Sequence, residues 1–259
     1  MKPSVSCICV SFGRPWYLKR AIELYKGQSY KNKELVIVYK VEDLETSNQL
    51  SSFRLDPEIL AVACCGAEIS SVGQMRNLGI DHATGDYVCI WDDDDWYHCE
   101  RVRLQMEGLK VNSKPGTILT HLLIFDSLTD QLYFPFARTW EATFLLERKK
   151  IFEVGLKYDD LPREEDVMFV RNATRLNLFF PVTQGQLYIY NCTGDNLSGR
   201  EHFDGIFKLS QRLPEWHAAI VKKILNGTYS QKEGSAILDS SEFLEALNYF
   251  IKSYYLDRT

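Results

Sequence analysis

Four consecutive aspartates, Asp92 to Asp95, follow the apolar run Tyr87-Val88-Cys89-Ile90-Trp91 and precede Trp96-Tyr97. Carboxylates crowded at the end of a buried strand cannot all ionise, because like charges and desolvation each raise their pKa values. A divalent cation resolves that conflict, and hard oxygen donors suit Mg²⁺ or Mn²⁺ rather than zinc. Mg²⁺ is usually held by one or two carboxylates together with substrate phosphates, so the cluster points to a phosphate-bearing ligand. A solvated acidic turn is the competing reading of the same four residues.

To meet a ligand, these carboxylates must be carried to one edge of a sheet. Val5 to Phe12 is an almost continuous apolar run, the pattern of a parallel strand buried on both faces. Gly13-Arg14-Pro15 breaks it, and Pro15 suits the first turn of a helix running to about Gly27. Residues 35–39 read as a second strand, 44–54 as a short helix and 60–64 as a third strand. Ser71-Val72-Gly73-Gln74 has capping-box spacing and opens a helix ending near Ala83, with Gly85 as its terminator. Strand and helix thus alternate up to the fourth strand, Tyr87 to Trp91, as in a doubly wound, mostly parallel α/β sheet. Ligands of such sheets bind beyond the C-terminal strand ends, where the aspartates fall.

The second half changes character. A helix is expected over 98–111, followed by short apolar and aromatic runs at 117–126, 131–136 and 142–147. A further helix spans about 163–175, with strands near 179–180 and 187–190. From Phe203 the pattern is helical, broken near Asn226-Gly227, with a last helix from Ser241 to about Tyr255. Its stripe Phe243, Leu244, Leu247, Phe250 and Ile251 reads as core packing.

The 259 residues are enough for one large α/β domain or two small ones. A net charge of −5 argues against nucleic acid as a partner. Seven cysteines contain no CxxC pair, which argues against structural zinc and for a reducing, cytoplasmic compartment. Met1 runs straight into a strand rather than a signal peptide. No stretch is long and apolar enough to span a bilayer, although a membrane-bound acceptor is reachable by peripheral contact.

The ordered set Ser11-Phe12-Gly13-Arg14-Pro15, Gly73-Gln74-Met75-Arg76-Asn77, Ala83-Thr84-Gly85-Asp86-Tyr87, Trp91 to Asp95, Val154-Gly155-Leu156 and Glu164-Glu165-Asp166 resembles the family 2 glycosyltransferases. The resemblance covers roughly residues 4 to 202. It implies a GT-A fold with a glycosyltransferase domain at 1–202, divided into a donor half at 1–111 and an acceptor half at 112–202. Residues 203–259 form a helical C-terminal extension in this reading.

The resemblance also implies an inverting, metal-dependent enzyme using a nucleotide-sugar donor. The family's DXD motif falls on Asp92-Asp93-Asp94, with Asp94 the direct ligand of Mn²⁺ or Mg²⁺, Asp92 on metal or ribose, and Asp95 orienting them. Asp93 is expected at the donor or as a structural turn residue. Phe12, Arg14, Arg76 and Asn77 are expected to face the nucleotide. Asp166 matches the catalytic base, with Glu165 as its fallback.

Two features depart from the family pattern. Asn191 and Thr193 stand where many members carry arginine and histidine, which leaves His202 as a substitute metal contact. The acidic base-reading residues come late after the second strand, so either Glu42 or a stacking Tyr39 serves the base. Trp96, Trp140 and Glu141 are the acceptor-side candidates, by sugar stacking or position. The expected acceptor is a glycan or lipid-linked saccharide in surface polysaccharide assembly, with UDP only weakly preferred. Rival readings are a sugar nucleotidyltransferase and an inactive nucleotide-sugar-binding module; oligomeric state is left open.

Overall fold

The computed structural model describes residues 2–161, 165–194 and 196–256. The first half alternates as the hydrophobic pattern requires: β1 (Val5–Val10), α1 (Pro15–Lys26), β2 (Lys33–Lys40), α2 (Leu44–Ser51), β3 (Ile59–Cys64), α3 (Val72–His82) and β4 (Tyr87–Ile90). Along β1, Cys7 and Cys9 enter one core while Ile8 enters the other, which is why the strand is apolar without alternation. The capping box at the start of α3 is complete, with Ser71 and Gln74 each bonded to the other's backbone N–H. Gly85 has a different role from the helix terminator expected. The helix ends at an extended Ala83, and a Cβ on Gly85 would lie 2.6 Å from Ser6 Oγ.

The second half supplies β5 (Trp96–Tyr97), α4 (Arg101–Lys110), β6 (Gly116–Leu119), β7 (Leu123–Asp126), β8 (Gln131–Phe134), β9 (Leu145–Glu147) and α5 (Arg148–Glu153). After these come α6 (Glu165–Arg175), β10 (Phe179–Val182), β11 (Tyr188–Cys192), α7 (Gly199–Leu209), β12 (Gln211–Arg212), α8 (Glu215–Leu225), α9 (Gln231–Leu238) and α10 (Ser241–Leu256).

Seven strands form the main sheet in the order β10-β6-β9-β4-β1-β2-β3. It is parallel except at β9, which runs antiparallel to both neighbours. A second sheet has the order β12-β8-β7-β11-β5. The apolar run at 117–126 is therefore two strands in two sheets, because the chain turns at Thr120–Leu122. The aspartates occupy the step between β4, in the first sheet, and β5, in the second. They sit at the C-terminal edge of one sheet and are fixed by the other.

The division drawn at residue 202 falls inside α7. The residues after it are built into the fold rather than appended to it. β12 extends the second sheet, and Phe203, Leu213, Val221, Leu238, Phe243 and Leu247 join the main core. Gln231 Nε2 donates to Leu24 O at 2.9 Å and to Tyr97 O at 2.8 Å, tying α9 to α1 and β5. Of the last helix's stripe, Phe250 and Ile251 lie outside the described side chains. Among the described residues no helix is long and apolar enough to cross a membrane.

Candidate active site

The C-terminal ends of β1, β2 and β4 open on a cleft of about 630 Å³. The loop after β1 supplies Phe12 and Arg14, α3 supplies Arg76, and the β4–β5 step supplies Asp92, Asp93 and Asp94. Across from them stand Trp140 and Glu141, Asp166 on α6, and His202 on α7.

The four aspartates have four environments. Asp92 receives Arg76 Nη2 at 3.0 Å and keeps part of its side chain open to the cleft. Asp93 is wholly buried, accepting from Ser11 Oγ at 2.7 Å and pairing with Arg14 Nη2 at 2.7 Å. Burial and the neighbouring Asp94 push its carboxyl up to about 7 against the pull of Arg14. Asp94 lines the cleft and receives Arg14 Nη1 at 2.8 Å and Asn196 Nδ2 at 3.2 Å. Burial raises its carboxyl too, with Arg14 opposing.

Asp95 points away, into the second sheet. It accepts from Asn191 N at 2.9 Å and from the Tyr188 hydroxyl, and burial raises its carboxyl far above the usual range. It anchors the loop to β11. Asn191 Nδ2 also donates to Asp94 O at 3.2 Å, so the residue that bonds Asp95 holds the backbone beside it as well.

Arg76 connects the cluster to the far wall. Its Nη1 lies 3.9 Å from Asp166 Oδ2 while Nη2 holds Asp92, so one buried guanidinium spans both carboxylates. Asp166 stands in the first turn of α6 with part of its side chain exposed to the cleft. Beside it, Glu141 is paired with Arg138, and burial raises the Glu141 carboxyl, with the Asp166 charge adding to that. The side chain of Glu165 lies outside the described residues, as does all of Glu164.

Several expected contacts fall elsewhere. Asn77 does not line the cleft: its amide accepts from Tyr158 N and donates to Tyr158 O, both at 2.9 Å, clamping the segment before α6 to α3. Tyr39 shares the strand face of Leu35 and Ile37, packs against the main core and does not line the cleft. Glu42 accepts from Gly66 N at 3.1 Å and fastens the end of β2 to the loop after β3. Trp96 is buried, with Gly234 of α9 packed so close that an added Cβ would lie 3.2 Å from its ring. Trp140 lines the cleft, but the Arg138 guanidinium covers its ring at 4.3 Å.

His202 lines the cleft as well. Yet among the described residues no three His, Cys, Asp or Glu side chains form a group able to hold a metal.

Other residues of the site carried no assignment from sequence. Lys40 ends β2 and lines the cleft, its Nζ 5.0 Å from the Phe12 ring centroid. The signal was its place at a parallel strand's C-terminal end. Asp43 caps α2 and accepts from Gly13 N at 2.6 Å, shaping the loop that bears Phe12 and Arg14. Gly13 has φ +66°, a conformation that favours glycine. Asn196 had no local signal toward the cluster, because Asp94 lies 102 positions away, whereas Arg138 pairs locally with Glu141.

With fold and site in view, comparison with known proteins defines the class. Residues 6–153, more than half of the chain, match the family described as Glycosyl transferase family 2, and the chain belongs to that family. It is 28% identical over 107 residues to the amylovoran biosynthesis glycosyltransferase AmsB of Erwinia amylovora. That match takes in 39% of this chain and spans only 34% of the length of AmsB.

Among solved structures it resembles S. aureus TarS 1-349 in complex with UDP-GlcNAc, with a TM-score of 0.64 at 15% identity. That superposition covers 96% of this chain and 81% of the other. The complex of the same fragment with UDP gives 0.62 at 14% identity, over 92% and 76%. At such identity the likeness fixes the fold, which is the GT-A type that the sequence resemblance implied.

Proposed function

We propose that the chain transfers a sugar from a nucleotide-sugar, a UDP-sugar by preference, to a hydroxyl of a glycan or lipid-linked saccharide. The observation that carries this reading is one cleft in which Arg76 spans Asp92 at 3.0 Å and Asp166 at 3.9 Å. Donor-side and acceptor-side carboxylates thereby face one reaction space. The UDP and UDP-GlcNAc complexes of the structurally similar TarS support a uridine nucleotide, and the AmsB name supports polysaccharide assembly.

The donor set fits a divalent cation of the Mg²⁺ or Mn²⁺ kind. Three carboxylates, Asp92, Asp93 and Asp94, meet two guanidinium groups, those of Arg14 and Arg76, and burial opposes ionisation of Asp93 and Asp94. No protein group of three ligands exists among the described residues, which matches a metal completed by substrate phosphates. Asp94 and Asp92 would hold it, and a bound cation would stabilise the negative charge developing on the departing diphosphate.

The chain's own residues supply the rest. Phe12, Lys40 and Arg14 wall the nucleotide side of the cleft. Arg76 holds Asp92 and Asp166 in fixed relation. In an inverting transfer the acceptor oxygen bonds to the anomeric carbon as the bond to the diphosphate oxygen breaks. The acceptor proton passes to the Asp166 carboxylate. Arg138, Trp140 and Glu141 form the acceptor wall.

The test is a nucleoside diphosphate release assay, paired with melting curves against UDP-, GDP-, dTDP- and CMP-sugars in Mn²⁺ or in EDTA. A Mn²⁺-dependent stabilisation by UDP-sugars with UDP release is expected, since a ligand binding only the native state raises Tm. Pyrophosphate release from a nucleoside triphosphate would replace this reading with nucleotidyl transfer. Binding without turnover across acceptors would leave a nucleotide-sugar-binding module.

A further inference from the structure

Asp93 and Asp94 share one guanidinium. Arg14 Nη2 lies 2.7 Å from Asp93 Oδ1, and Nη1 lies 2.8 Å from Asp94 Oδ2. The remaining Asp93 oxygen is taken by Ser11 Oγ at 2.7 Å, and Asn196 Nδ2 approaches the same Asp94 Oδ2 at 3.2 Å. Asp94 Oδ2, a cleft-side oxygen that a cation would seek, is therefore already in use. A metal bound to Asp94 Oδ2 competes with Arg14, and with Asn196, for that oxygen.

The geometry permits that exchange. Asp93 has no exposed side chain, whereas 37% of the Arg14 side chain is exposed to the cleft. The guanidinium can move and the carboxylate cannot. The backbone need not follow, since Gly13 N is held by Asp43 Oδ2 at 2.6 Å and α1 begins at Pro15. The charges also match: a divalent ion replaces a single positive charge among Asp92, Asp93 and Asp94. A released guanidinium, always charged and shaped for bidentate phosphate contact, meets the negative diphosphate in the same cleft.

We propose that Arg14 is the resident counter-cation of the aspartate cluster, displaced by the divalent metal and transferred to the donor's diphosphate. The inference rests on the metal-dependent reading of the cleft. It makes Arg14 a positioning residue whose removal has two effects of opposite sign. Without Arg14 the metal loses its charged competitor, and the diphosphate loses a partner.

The experiment measures Mn²⁺ binding to wild type, Arg14→Met and Arg14→Lys by electron paramagnetic resonance of free Mn²⁺, first without nucleotide. UDP binding at saturating Mn²⁺ is then measured by calorimetry. Arg14→Met is expected to bind Mn²⁺ roughly tenfold more tightly and UDP roughly tenfold more weakly, the scale of one charge-assisted pair. Arg14→Lys, which keeps the charge but loses the fork, shifts both in the same directions by less. It carries the test alone should Arg14→Met fail to fold. Unchanged or weaker Mn²⁺ binding in the variants overturns the exchange and leaves the metal-dependent reading intact. Wild type that binds no Mn²⁺, with or without UDP, overturns both.

Discussion

Replacing Asp95 separates the anchoring aspartate from its three neighbours. Its carboxyl is fully buried and accepts from Asn191 N at 2.9 Å and from the Tyr188 hydroxyl. Tyr188 is itself enclosed, edge-on to Tyr97 at 5.1 Å and beneath the Arg101 guanidinium at 5.0 Å, so water cannot replace the lost acceptor. Asp95→Ala strands two buried donors at about 1–3 kcal/mol each, a loss of roughly 2–6 kcal/mol. In Asp95→Asn the amide oxygen accepts from Asn191 N–H and the amide nitrogen donates to the Tyr188 oxygen.

The loss for Asp95→Asn is then about 1 kcal/mol, the net worth of one hydrogen bond. Burial already pushes the Asp95 carboxyl toward its neutral form, which a neutral amide reproduces. Urea unfolding followed by circular dichroism reads the difference as a shift in midpoint at constant slope. Thermal unfolding should place Asp95→Ala roughly 4–24 °C below wild type at about 2–4 °C per kcal/mol. Equal losses in both variants would refute the argument, because they would show that the negative charge, not the hydrogen-bond pattern, holds the loop. A loss under about 0.5 kcal/mol in Asp95→Ala would refute it too, being no more than an ordinary surface substitution.

Asp166→Asn should lower kcat by about 10²–10⁴, the contribution of a positioned general base, while the UDP-dependent rise in Tm persists. Loss of that rise would make Asp166 a donor-binding residue instead. Asn77→Ala removes both bonds to the Tyr158 backbone and should cost roughly 1–3 kcal/mol in urea unfolding. A neutral result would mean that the segment before α6 needs no clamp. His217 is buried beside Trp216 and Phe243, which lowers its pKa to about 4. The unfolded chain titrates near 6.5 and so binds the proton more readily. Stability is therefore full above about pH 6.5 and falls as pH drops toward 4, by on the order of 1–3 kcal/mol. His217→Phe should flatten that slope between about pH 6.5 and 4; an unchanged slope assigns the acid lability to other groups.

Much of the donor edge was legible before folding. An apolar run without alternation, a capping box at Ser71-Gln74 and a strand ending in carboxylates are short-range signals, each set by neighbouring residues. They located β1, α3 and β4, and with them the edge where Arg14, Arg76 and the aspartates meet. Where a side chain's role depended on which way it turned, the local pattern gave no answer. Trp96 follows the aspartates directly yet packs under α9, and Asn77 follows Arg76 yet clamps Tyr158.

From the sequence came the alternating elements of the first half and the carboxylates available for chemistry, and its family resemblance implied the GT-A class. Folding assigned each carboxylate its task. Ser11 reaches Asp93 across 82 positions, and Asn196 reaches Asp94 across 102. Tyr188 and Asn191 claim Asp95 from a second sheet that no local pattern announced. Four identical side chains in a row carry the same local information. Only the nonlocal donors that meet them, and the water they lose in doing so, make one an anchor, one a buried partner of Arg14, and two part of the cleft lining.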